Sequence, residues 1–92
     1  MPEKNASKLE IYAAMQAARE FGCLPIFTVY DRPRDYPDGF IARMFLTGKI
    51  EIPTLITVLG SLEEIRETMI EVGMTRIERY EKDDPKILEC WL

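Results

Sequence analysis

Three aspartates crowd one short segment. Asp31, Asp35 and Asp38 sit among two prolines and a glycine in Arg32-Pro33-Arg34-Asp35-Tyr36-Pro37-Asp38-Gly39. Clustered carboxylates suit a calcium ion, but a loop of the EF-hand type places its ligands at alternate positions. Here the spacing is four and then three. Aspartates that satisfy turn amides beside proline are the ordinary reading, so no metal site is expected. A magnesium-dependent nuclease would need an acid, then a second acid two residues before a lysine. Asp38 and Glu51 supply acids, yet Pro53 stands where the lysine must be.

The chain contains no histidine. That removes Ser-His-Asp and Cys-His nucleophilic centres, the usual zinc ligand and the commonest general base. No glycine-rich phosphate loop and no G-x-G-x-x-G occur. Neither an enzyme nor a cofactor is expected. The two cysteines, Cys23 and Cys90, lie 67 positions apart among apolar neighbours, without C-x-x-C spacing. They read as buried thiols in a reducing compartment, with a structural bridge as the minority reading.

These residues must be carried by one domain, since the chain is 92 residues long. With 47% hydrophobic and 30% charged residues it belongs with globular proteins, not disordered ones. Its net charge of −4 opposes direct nucleic-acid binding, which needs a basic face to displace counterions. No apolar run reaches the roughly 18 residues of a membrane span. Met-Pro-Glu-Lys-Asn opens the sequence without an apolar h-region, so no signal peptide is predicted and a cytoplasmic location is expected.

Residues 1–6 are predicted to be a mobile tail and 7–92 a single domain. Ser7-Lys8-Leu9-Glu10 has the form of a capping box. Ile11, Ala14, Met15, Ala18 and Phe21 continue as one helical stripe to Gly22, predicting a helix over 7–21. Leu24 to Asp31 reads as a strand apolar on both faces. The Pro-rich segment then forms a loop. Phe40 to Leu46 and Thr54 to Leu59 are the next strands, with Pro53 at a strand start, where its missing N–H is tolerated.

Ser61-Leu62-Glu63-Glu64 is a second capping box, followed by the stripe Leu62, Ile65, Met69, Val72 and then Gly73. Thr75 to Tyr80 and Ile87 to Leu92 read as a hairpin around 81–85. The predicted class is α+β in the order α-β-β-β-α-β-β: a mainly antiparallel sheet of about five strands, with both helices on one face.

Alternation then sorts the strand residues. Phe40, Ala42, Met44 and Leu46 form a uniformly apolar set, as do Leu88, Cys90 and Leu92; both sets are expected beneath the helices. Ile41, Arg43 and Phe45 are left for the opposite face, and so are Ile87, Glu89 and Trp91. A face of large apolar groups with Arg and Trp has the composition of a protein interface. The other reading is a covered face with an ordinary Arg43–Glu89 cross-strand pair. Glu63, Glu67 and Glu71, about 6 Å apart along one helical stripe, read as a solvated face or as an acidic patch for a basic partner.

The run Tyr30 to Arg43 resembles a family of short bacterial and phage reading frames. It shares their Tyr-Asp-x-Pro-x-Asp-aromatic-Pro-Asp segment. Ser61 to Arg66, Asp83 to Pro85 and Glu89 to Leu92 extend the likeness over residues 28–92, whereas 1–23 depart from it. The family carries no activity that transfers. Its phage association implies, by class, a small acidic inhibitor of host defence, such as an anti-CRISPR protein.

The expectation is a non-enzymatic protein-binding module that inhibits a host nucleic-acid-handling complex by occlusion. A protein partner is expected, with no membrane contact; a structural homodimer is the alternative. The candidate contacts are Arg34, Tyr36, Arg43, Phe45, Glu63, Glu67, Glu71 and Trp91. Arg34 and Tyr36 enter because prolines beside them reduce the entropy lost on docking.

Overall fold

A computed structural model describes residues 5–34, 36–48, 51–78 and 87–92. Both capping boxes form. The Glu10 N–H donates to Ser7 Oγ at 3.2 Å, and the Ser7 N–H donates to the Glu10 carboxylate at 3.2 Å. Helix α1, Lys8–Glu20, starts there. Ser61 and Glu64 repeat the exchange at 3.1 and 3.3 Å and start α2, Leu62–Glu71. Gly22 and Gly73 follow the helices with φ of 73° and 83°. Such left-handed geometry strains any residue bearing a Cβ and ends each helix within a residue or two of its predicted stop.

The strands are β1 (Leu24–Asp31), β2 (Phe40–Thr47), β3 (Glu51–Gly60), β4 (Arg76–Glu78) and β5 (Ile87–Trp91). They form one antiparallel sheet in the order β3-β2-β1-β5-β4. Class and element order agree with the sequence reading. Ile11 and Met15 of α1 and Ile65 and Met69 of α2 share one buried cluster with Phe27, Val29, Ala42 and Met44. Both helices therefore lie on the same face of the sheet.

Strand β3 begins at Glu51, before the predicted start at Thr54. Pro53 lies within it, opposite Phe45, and β3 is an edge strand, where a proline is tolerated. Asn5 and Ala6 were expected in the tail, yet they pair along β3: the Ala6 N–H donates to the Thr57 carbonyl at 2.8 Å, and the Leu59 N–H to Asn5 Oδ1 at 3.1 Å. The physical reason is the unpaired edge of β3, whose amides need acceptors. The predicted turn at 81–85 and Asp35 lie outside the described residues.

Alternation in β5 runs opposite to expectation. Val29 pairs with Glu89 and Phe27 with Trp91, so Glu89 and Trp91 face the helices, while Cys90 lies opposite Thr28 on the other face. Trp91 is 4% exposed and joins the core cluster. Arg66, reaching down from α2, neutralises the carboxylate there. A charged side chain therefore sits beneath the helices, where the sequence reading placed the all-apolar set.

Candidate functional site

Register defines the second face of the sheet. Ile26 pairs with Phe45, Thr28 with Arg43 and Tyr30 with Ile41, all pointing away from the helices. Thr28 and Cys90 extend this face into β5, with Thr28 Oγ1 3.9 Å from Cys90 Sγ. The Arg43 guanidinium lies 5.6 Å from the Tyr30 ring centroid, a cation–π contact that holds the long side chain along the sheet. Ile26, Thr28, Tyr30, Phe45, Ile87 and Cys90 surround a groove of about 250 Å³. Leu24, opposite Thr47, and Ile77, opposite Cys90, are exposed.

Among the described side chains that the strand register turns away from the helices, Arg43 is the charged one. A lining of apolar groups with threonine, tyrosine and thiol functions suits an apolar side chain with hydroxyls at its edge.

The opposite side of the sheet holds a buried ionic centre. Glu89 is 3% exposed. It accepts from Arg66 Nη2 at 2.6 Å, Arg66 Nε at 3.1 Å and Trp91 Nε1 at 2.7 Å, with Arg76 Nη1 at 3.9 Å. The hydrogen bond with Glu89 raises the Arg66 guanidinium above its ordinary value. This centre ties α2 to β5 and β4. Every Glu89 partner is accounted for within the fold, so the cluster reads as structural.

The expected contact residues are thus divided. Arg43 and Phe45 share the helix-free face with Ile41, which is itself fully buried. Trp91 and Glu89 are separated from them by the thickness of the sheet. Glu63, Glu67 and Glu71 are exposed on α2, on the helical side. Glu71 forms an ion pair with Lys8, and its carbonyl accepts from Tyr12 Oη at 3.0 Å, joining the two helices. The hydrogen bond to Glu71 raises the Lys8 ammonium above its usual value. Arg34 is exposed in the β1–β2 loop, and Tyr36 is half-buried.

That loop has internal support. Pro33 is buried, its carbonyl accepts the Tyr36 N–H at 2.9 Å, and Tyr36 Cε1 lies 3.0 Å from where a Cβ on Gly39 would be. Arg32 holds a positive φ of 42° and pairs with Asp31 at 2.9 Å.

Ile26, Tyr30 and Cys90 were missed as site residues, whereas Ile87 lies on the face where alternation placed it. The signal for them was β1 itself, apolar on both faces, since such a strand is covered on both sides. No protein-family model, no curated protein and no solved structure matches the chain. No helix among the described residues is long and apolar enough to cross a membrane.

Proposed function

We propose that this protein is a non-enzymatic protein-binding module whose contact surface is the helix-free sheet face. One observation carries the reading: the groove between Ile26, Phe45 and Ile87 lies on a face whose described charge is Arg43, in a chain with 30% charged residues. Charge depletion around aromatic and arginine anchors marks the centre of a protein interface. The acidic stripe of α2 is the weaker candidate, because Glu71 is already engaged with Lys8.

The resemblance to phage reading frames supplies the partner class, a host defence complex or another nucleic-acid-handling assembly blocked by occlusion. Phe45→Glu should abolish capture of such a complex, and inhibition of its nucleic-acid binding, while Glu67→Lys leaves both within twofold. The reverse pattern would transfer the contact to α2 and sink the reading of the sheet face.

A further inference from the structure

We infer that the N-terminal segment is a releasable guard on the edge of β3, and that lifting residues 5–6 exposes a stretch of strand able to pair with another extended chain. The device concerns the edge of the sheet, not the helix-free face, and stands independently of the contact proposed there.

The edge groups can be placed one by one. In an antiparallel strand the N–H and C=O of one residue point to the same side, and those of the next residue to the other. The Thr57 carbonyl accepts the Ala6 N–H at 2.8 Å, and the Leu59 N–H donates to Asn5 Oδ1 at 3.1 Å. Thr57 and Leu59 therefore direct these groups away from β2. Thr57 stands opposite Arg43, and Pro53 opposite Phe45, two residues further along β2. The Pro53 nitrogen thus points outward as well, and it carries no hydrogen. Between these two pairs β3 bulges, which breaks the ladder that a neighbouring strand would follow. Proline and bulge blunt the first half of the edge. The opposite edge of the sheet is β4, three residues long. The stretch left for strand addition is 57–59, and residues 5–6 lie on it.

This cover is held in part by a side chain. In a parallel pair a residue bonds through its N–H and its C=O to two positions on the neighbouring strand. Asn5 bridges Thr57 in parallel, so a continued ladder would carry the Leu59 N–H to the Ala6 carbonyl. At Ser7, the N-cap of α1, the chain leaves the sheet, and the Asn5 side chain supplies the acceptor instead. Asn5 is exposed, while Ala6 packs against the core cluster. A short segment with so little buried apolar surface opens at a free energy well below that of the whole fold. Leu55, 96% exposed next to the covered stretch, offers an apolar side chain to an arriving strand.

Hydrogen exchange and sedimentation equilibrium on the full chain test this, with the chain itself as the pairing strand. Asn5→Ala combined with Ala6→Pro removes both the acceptor and the donor, and it keeps the Ser7–Glu10 capping box. The Leu59 amide should then exchange at least about tenfold faster, while Ala42 and Val58, paired inside the sheet, stay within about twofold. At about 200 µM the mean mass of this variant should rise above that of the wild type, and adding Leu55→Lys, a charge on the edge, should restore it. Should the double variant fail to fold, the wild-type chain provides a second measurement. Its Leu59 exchange should change by less than about twofold between 0 and 1 M urea while Val58 accelerates several-fold, because local opening exposes little surface to denaturant.

An unchanged Leu59 rate in the folded double variant would overturn the guard, as would faster exchange without a rise in mass. A rise in mass that Leu55→Lys leaves in place, or a wild-type Leu59 amide as sensitive to urea as Val58, would overturn it equally.

Discussion

Glu89 is a carboxylate with almost no access to water, and its donors come from two directions. Trp91 offers its indole N–H from the same strand, and Arg66 its guanidinium from α2. The two ends of the Arg66–Glu89 pair are unequally buried, with side-chain exposures of 39% and 4%. Removing the exposed end strands a charge in the interior, whereas neutralising the buried end lets the guanidinium turn to water. Arg66→Met should therefore cost about 3 kcal/mol. Glu89→Gln, which keeps an acceptor for the indole, should cost about 1–2 kcal/mol. Urea unfolding of both variants at pH 7 checks the asymmetry, and equal costs would show that Glu89 is hydrated. Trp91→Ala should lose about 3–5 kcal/mol as a core aromatic. The reversed face of β5 was legible in principle. Arg66 lies four residues after Leu62 and three before Met69, on the apolar stripe of α2, and an arginine there needs a carboxylate beneath it. Alternation within β5 could not reveal a partner 23 residues away on a helix.

Helices were the most legible elements because their signals are local. Each capping box spans four residues and each stop is a glycine, so both ends can be read without knowing what the helix packs against. Ser7→Ala and Ser61→Ala should each lower stability by about 1 kcal/mol, measured by thermal or urea unfolding. The start of β3 was harder to read because its irregularity is settled across the sheet. Arg43 pairs with Thr57 but Phe45 with Pro53, so β3 carries extra residues through a bulge. Thr54 fills the gap, donating from Oγ1 to the Met44 carbonyl at 2.9 Å and accepting the Ile56 N–H at 3.1 Å. Leu55, at the bulge, is 96% exposed. Thr54→Val retains the shape and removes both bonds, leaving two half-buried backbone groups without that partner. A loss of about 1–3 kcal/mol is expected in urea unfolding. A change below 0.5 kcal/mol would mean that water replaces the hydroxyl. No local sequence feature announces this bulge, since Pro53 fits a strand start equally well.

At the scale of the whole chain, the acidic balance disfavours a polyanion as a partner. The chain has 16 acidic and 12 basic residues, and several of the described cations are spent on neighbouring carboxylates: Lys8 on Glu71, Arg32 on Asp31, and Arg66 and Arg76 on Glu89. Arg43 lies against the Tyr30 ring on the helix-free face. Nucleic-acid affinity arises mainly from several cations displacing counterions together. Under the proposed function, this acidic balance directs the contact to the protein component of the target rather than to its nucleic acid. Labelled 20-nucleotide single and double strands should therefore show no binding tighter than about 100 µM at 150 mM salt, the weak end of non-specific affinity. Fluorescence anisotropy at 50 and 150 mM salt makes the check. Micromolar binding that weakens steeply with salt would reveal a basic patch and displace the proposed occlusion by protein contact. Salt-independent silence toward both strands, joined to Phe45-dependent capture of a protein complex, is the combination expected of this charge distribution.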